Sequence, residues 1–447
     1  MVERSPSVPR SEQLVYQLPW FIRRRLGLLS RYKIPYDQTV RMRLGESTFM
    51  LAHKADIHDV LVTRARNFVK TPNLVSEQGR KRAGRGLLTS TGDQHQQLRR
   101  ALQPLFVNSA ALPFADAIQS HTEKRMSSWR DQQPIDISRE MTRLGLEILI
   151  RMVFGSEADQ LDPNFAEAIT ERRRYNEYVI FGKLPFRTHL PTPTVRKYRR
   201  AIKIIDKEIY RGIRERRRSS SEQGTAHHFL SLLSNVQRPD GTQLSDEQVR
   251  DEVLTLTTAG YETVADGLSW TLYLLAKNPD IQEMLRDEIA AAQNIPDLNA
   301  KCLTALPMTY AAVQESWRIY PPTWIYVRTP LKDETLPSGI KVPASSRLYL
   351  CPFIMHRYPA VFPKPEQFDP NRFAPSAAPP PRSIYFPFGD GPHLCIGAPL
   401  ARLESVIILS TILARFRIHD DPNHCVKPFA GVTLRPANGV KVHLESL

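Results

Sequence analysis

Phe386-Pro387-Phe388-Gly389-Asp390-Gly391-Pro392-His393-Leu394-Cys395-Ile396-Gly397 holds one cysteine in a glycine-punctuated loop, and a helical pattern starts directly behind it. The thiolate is the metal-ligating form of cysteine, and amides at a helix N-terminus favour it. Ala398-Pro399-Leu400-Ala401-Arg402-Leu403-Glu404 follows, with a proline suited to a first helical turn and apolar residues at helical spacing. Cys395 is therefore expected just ahead of a helix N-terminus. Gly389, Gly391 and Gly397 are expected to take positive φ and let the backbone pass close to a flat ligand, with Pro392 stiffening the turn. On these residues alone, a buried free thiol in a glycine-rich turn stays open.

The rest of the chain narrows the class. No Gly/Ser-rich linker or repeat divides the 447 residues, so one large domain or two closely fused ones are expected, mainly α with a smaller β portion. Short strands are expected at Val40-Arg-Met-Arg-Leu44, Ser47-Thr-Phe-Met-Leu51 and Arg347-Leu-Tyr-Leu350. The four cysteines, Cys302, Cys351, Cys395 and Cys425, are scattered without a CxxC pair, which argues against a disulfide framework or a zinc finger and fits a reducing cytoplasm. No apolar run is long enough for a membrane anchor, and the first residues lack a secretory pattern. Leu14 to Leu29 interleaves apolar residues with Arg23, Arg24 and Arg25, a pattern for anionic lipid contact or for packing on the domain with the arginines solvated.

A formal net charge of +15 raises the question of nucleic acid. No nucleic-acid fold signature accompanies it, and Arg214, Arg216, Arg217 and Arg218 read as the cationic end of a helix. Of the run Arg172-Arg173-Arg174, most side chains are expected to face water.

Ser245-x-x-Gln248 is a capping box, and a helical pattern of about 32 residues, on the order of 48 Å, runs from it to Asn278-Pro279. Inside it lies Ala259-Gly260-Tyr261-Glu262-Thr263. A mid-helix glycine costs roughly 1 kcal/mol relative to alanine, so a ligand lying over a flat cofactor is expected to use the space. Thr263 stands one turn after Ala259, where bonding back to the i−4 carbonyl is the plain alternative. Glu315 and Arg318 share one helical face, with Phe368-Asp-Pro-Asn-Arg372-Phe373 downstream. His95 and Arg99 lie one turn apart.

Phe388-x-x-Gly391-x-x-x-Cys395-x-Gly397 resembles the signature of the cytochrome P450 family. Three further motifs follow the family's order from about residue 30 to the end, so residues 31–447 are expected to form one haem domain after an N-terminal segment, 1–30. The resemblance implies a triangular-prism fold with a long central helix over haem b, and Cys395 as thiolate ligand beside Phe388. Thr263 and Glu262 would serve oxygen activation, with Gly260 giving room over the haem. His95, Arg99, Arg328 and His393 would meet the propionates, the two arginines first because the guanidinium binds carboxylate bidentately. Glu315, Arg318 and Arg372 would form a structural triad.

The implied activity is insertion of one oxygen atom from dioxygen into a lipophilic substrate: a fatty acid, terpenoid, retinoid or sterol-like molecule. Electrons would come from a separate ferredoxin or flavodoxin with its reductase, docking on a basic face around Lys81, Arg82, Arg99, Arg100 and Arg402 of a cytoplasmic monomer. Phe181, Leu184, Phe186, Trp324, Ile325 and Tyr326 are candidate pocket residues that could equally be core. Two other readings remain: a peroxide-using or isomerising haem-thiolate enzyme, and a non-catalytic haem sensor or carrier.

Overall fold

The computed structural model describes residues 35–44, 46–131, 133–181, 192–218, 228–238 and 241–447. The N-terminal segment 1–30, Leu184 and Phe186 fall outside them, as does the side chain of Phe181. All three expected strands form. Thr39–Leu44 and Glu46–Leu51 pair antiparallel, and Arg347–Leu350 joins the second in parallel. Tyr326–Pro330 and Phe68–Lys70 complete a five-stranded sheet in the order Thr39–Leu44, Glu46–Leu51, Arg347–Leu350, Tyr326–Pro330, Phe68–Lys70. Its apolar core gathers Phe49, Met50, Leu51, Leu348 and Leu350. One register matters below: Lys70 lies directly opposite Arg328.

Helices make up most of the remainder. Those that position the site are α1 (Gly92–Leu102), α2 (Ile137–Phe154), α3 (Phe165–Phe181), α4 (Asp246–Ala259), α5 (Glu262–Lys277), α6 (Pro307–Ile319) and α7 (Ala398–Leu413). The basic helix ends at Arg218 as expected. The capping box is present in full, with Gln248 N–H donating to the Ser245 hydroxyl and Ser245 N–H to the Gln248 amide oxygen. Helix α5 is buried nearly all round, and it packs with α2, α6 and α7 into the largest apolar core. This burial overrides the modest helix propensity of its Val, Thr and Trp residues. No helix among the described residues is long and apolar enough to cross a membrane.

The single long helix expected from Ser245 to Asn278 is two helices. The break is at Gly260-Tyr261, where Tyr261 departs from helical geometry (φ −110°, ψ −41°). The Thr263 hydroxyl donates to the Ala259 carbonyl at 3.0 Å, which supplies an acceptor's partner at the break. The space at Gly260 also has a different owner from the one expected. A Cβ there would stand 2.7 Å from the Leu256 carbonyl oxygen and 3.2 Å from Leu149 Cδ1, so the missing side chain serves packing against α2.

Candidate functional site

The cysteine loop is held by its own backbone. Cys395 N–H donates to the Phe388 carbonyl at 2.9 Å, and Gly389 N–H to the Phe386 carbonyl at 3.0 Å. Gly389 and Gly391 take positive φ, 72° and 66°, as expected. Gly391 is required twice over, because a Cβ would also lie 2.0 Å from the Leu61 carbonyl oxygen. Gly397 departs from expectation. Its φ is −81°, and it serves as the N-cap of α7, where any small residue meets the geometry. Phe388 packs edge-on against Trp317, with the Arg402 guanidinium 5.3 Å from its ring centroid.

Cys395 retains an exposed surface although protein surrounds it, so its sulfur faces an internal space rather than bulk water. Burial raises its thiol pKa above the ordinary value. The Gly397 and Ala398 amides and the Arg99 and Arg402 guanidiniums offset part of that rise. The arrangement suits a thiolate once a cation shares the space. Cys302 and Cys351 are buried with pKa values pushed up to about 12, and the Cys351 thiol donates to the Trp324 carbonyl.

Four of the expected anion-binding residues come together. His393 and His95 face each other with Nδ1···Nε2 at 3.2 Å, and burial among cations pushes their pKa values down to about 2 and about 4. Arg99 donates to the Leu394 carbonyl, which ties α1 to the cysteine loop, and to Gln103. Arg328 is buried, donates among the described residues only to the Val327 carbonyl, and has its pKa lowered to about 10 by burial. Lys70 was not singled out in the sequence. It faces Arg328 across the strands, donates to the carbonyls of Leu87, Leu88 and Ser90, and is lowered to about 7 by burial and then by Arg328. The only sequence signal for it is a cation in a short apolar strand. Among the described residues, no carboxylate hydrogen-bonds to Lys70, Arg99 or Arg328. Like charges directly opposite on paired strands repel, so this cluster is built for an anion.

Across the break between α4 and α5, Ala259 is exposed and Thr263 half-buried. Glu262 is buried, and its carboxylate pairs with Arg173 at 2.9 Å. The expectation for the three arginines fails at two positions. Arg174 faces solvent, Arg173 turns to Glu262, and Arg172 is fully buried, bonding the Leu254 and Arg82 carbonyls and the Thr257 and Thr258 hydroxyls. Four neutral acceptors converging on one guanidinium make that burial tolerable.

Glu315 and Arg318 are wholly buried and doubly bonded, at 2.6 and 2.9 Å, and Arg372 approaches Glu315 at 3.4 Å. Trp324 belongs to the core beneath the sheet, with its indole N–H donating to the Gly431 carbonyl. The Tyr326 hydroxyl donates to the Pro387 carbonyl and so braces the cysteine loop. On the other side of that loop, a cavity of about 320 Å³ is lined by Arg372, Arg382, Arg402, Tyr385 and Phe388, and no residue of α4 or α5 reaches it. Lys81 and Arg100 are exposed, whereas Arg82, Arg99 and Arg402 are half-buried.

Comparison with known proteins agrees with this geometry. The family model described as Cytochrome P450 matches residues 6–443. The chain is 30% identical to cyclooctat-9-en-7-ol 5-monooxygenase of Streptomyces melanosporofaciens, over 94% of this chain and 95% of that one. It is 27% identical to pentalenene oxygenase of Streptomyces avermitilis, over 95% and 94%. Among solved structures, the retinoic acid bound cyanobacterial CYP120A1 superposes with a TM-score of 0.83 at 22% identity, covering 96% of each chain. A match over nearly the whole chain, together with a relative at this identity and coverage, decides the question: the protein belongs to the cytochrome P450 family of haem-thiolate monooxygenases.

Proposed function

We propose that this monooxygenase hydroxylates a terpenoid, with Cys395 as the haem ligand, Thr263 and Glu262 as the oxygen-activation pair, and electrons supplied by a separate ferredoxin or flavodoxin. The observation that carries the substrate class is the match over 94% of the chain to an enzyme named for a cyclooctatenol. The residues fit haem by their chemistry. Lys70, Arg99 and Arg328 offer unmatched positive charge to two propionates, and Cys395 offers sulfur in the same internal space. Bound there, haem supplies dioxygen activation, with thiolate donation favouring cleavage of the O–O bond.

The chain's own part is proton handling. With its hydrogen committed to the Ala259 carbonyl, the Thr263 oxygen presents lone pairs that hold a water. Glu262 brings protons to that water, and the Arg173 guanidinium holds it ready at 2.9 Å. The donor protein docks on the cysteine side, where exposed Arg100 and the arginines of the 320 Å³ cavity attract acidic groups. The intact acid–alcohol pair favours this reading over a peroxide-using enzyme or a haem carrier.

The test is turnover of the haem-loaded protein with reductant, a surrogate ferredoxin and isotopically labelled dioxygen, over a panel of terpenoid alcohols and fatty acids. One labelled oxygen in a terpenoid product supports the proposal. A labelled fatty acid only, or product formed only with peroxide, replaces it. In the same assay Thr263→Ala is expected to retain haem and raise peroxide per dioxygen about tenfold, because protons are no longer steered. An unchanged ratio removes Thr263 from the mechanism.

Lys70 gives a separate test. Lys70→Met is expected to speed haem loss to apomyoglobin about tenfold, the worth of one charge-assisted hydrogen bond. Wild-type haem affinity should itself fall as pH rises above about 7, because Lys70 of the empty site is then neutral and must take up a proton to meet a propionate. Equal loss rates in variant and wild type would mean that Lys70 makes no propionate contact.

A further inference from the structure

Behind Glu262 lies a second acid that the activity described so far does not use. Asp266 is one turn further along α5, so both carboxyl groups lie on one face of the helix. Two guanidiniums serve this region. Arg173, from α3, pairs with Glu262 at 2.9 Å and approaches Glu177 at 3.7 Å. Arg435, from the strand Leu434–Pro436, pairs with Glu177 at 2.9 Å and approaches Glu262 at 4.0 Å. Neither comes within ion-pair distance of Asp266. Its Oδ2 is buried without a hydrogen-bond partner, and the residue is 3% exposed.

Counting charge identifies the protonated group. Among the described residues, the guanidiniums within ion-pair distance of Glu177, Glu262 and Asp266 are Arg173 and Arg435, and they reach only the first two, so three ionised carboxylates would leave an uncompensated negative charge in a largely buried group. One proton removes it. Asp266 is the most buried of the three and the only one without a guanidinium, so it is the cheapest place for that proton. Burial, then the neighbouring Glu262, raises the Asp266 pKa well above the ordinary carboxyl value, with Thr433, Arg435 and Arg173 opposing. Tyr261, the residue that leads into α5, stays neutral because burial and Glu262 raise its own pKa.

We propose that Asp266 is a positioning residue that stores one proton beside Glu262 and delivers it through Glu262 to the Thr263 site. The inference rests on the acid–alcohol reading of Glu262 and Thr263. The step is a plain proton transfer. Once Arg173 releases Glu262, its carboxylate turns into hydrogen-bond reach and accepts the Asp266 proton; Asp266 becomes the carboxylate, and a proton taken up from water by Glu262 returns along the same path to restore it. No oxidant or reductant is consumed.

Asp266→Asn is the variant to make, because the amide matches the protonated acid in shape and charge but has no acidic proton. Its first readout is stability. The unfolded chain releases the Asp266 proton above a pKa of about 3.9, and the folded chain keeps it, so wild-type stability falls as pH rises through that window. Asparagine carries no such term. Asp266→Asn should therefore melt above wild type, by a margin that widens from about pH 5 to about pH 8. A variant melting below wild type at about pH 8 would show an ionised, paired Asp266 and overturn the proposal.

The second readout is dioxygen consumption by the haem-loaded, substrate-free protein with reductant and a surrogate ferredoxin, in water and in deuterium oxide. Asp266→Asn should slow it about tenfold and enlarge the solvent isotope effect. A purely structural Asp266 would be replaced by Asn without either change. If Thr263→Ala raises the peroxide yield while Asp266→Asn consumes dioxygen as wild type does, the Asp266 inference alone fails. If both variants behave as wild type, the acid–alcohol reading fails and takes this inference with it.

Discussion

Cys395→Ser should abolish turnover and remove the strongly red-shifted ferrous–CO Soret band that thiolate ligation would give, while leaving a folded protein. The local structure explains both halves. The loop is fixed by main-chain bonds, Cys395 N–H to Phe388 and Gly389 N–H to Phe386, and by the Arg99 contact to the Leu394 carbonyl, none of which uses the sulfur. Serine can therefore take the position with the loop unchanged. Its hydroxyl is a much weaker acid than a thiol, and the two amides and two guanidiniums that draw on Cys395 are too few to ionise it. No other cysteine can substitute, since Cys302 and Cys351 lie in apolar cores as protonated thiols and Cys425 is exposed beside Tyr273 and Lys277, at the far end of α5 from Thr263. A red-shifted band in haem-loaded Cys395→Ser would mean that the ligand is another residue.

What was legible in the sequence was what local rules decide. The capping box at Ser245, the short strands at Val40 and Ser47, the proline-led start of α7 and the Glu315–Arg318 pair all depend on neighbours within a few residues. What escaped depends on distant partners. Nothing near Gly260 announces Leu149, which occupies the space next to it. Arg172 reads as a solvated arginine until Leu254, Thr257, Thr258 and Arg82 converge on it. Lys70 and Arg328 are 258 residues apart, and only the sheet register sets them opposite each other. The break at Tyr261 leaves the Ala259 carbonyl with the Thr263 hydroxyl as a partner, and the nearly continuous helical pattern gives no sign of it.

Arg318→Met should destabilise the fold by about 3–5 kcal/mol, because it strands the wholly buried Glu315. Arg372 remains at 3.4 Å and the Asp369 N–H at 3.0 Å, which offsets part of the loss. Glu315 can also escape by taking a proton. Burial already raises its pKa, and removing Arg318 raises it further, above the unfolded value. A carboxyl with a raised folded pKa loses stability as pH rises, so the penalty of Arg318→Met should be larger at about pH 8 than at about pH 5. The companion change Glu315→Leu in the same chain should recover a good part of it, because the double variant has no stranded acid. The damage should also reach the haem. Arg318 donates to the His356 carbonyl at 3.0 Å, and His356, kept neutral by burial with its pKa near 3, accepts from Phe386 N–H at 3.0 Å at the entrance to the cysteine loop. Thermal melts of the single and double variants, with haem content measured in each, check the whole chain of contacts. A single variant as stable as wild type at both pH values, with full haem, would show that the buried pair neither supports the fold nor steadies the loop.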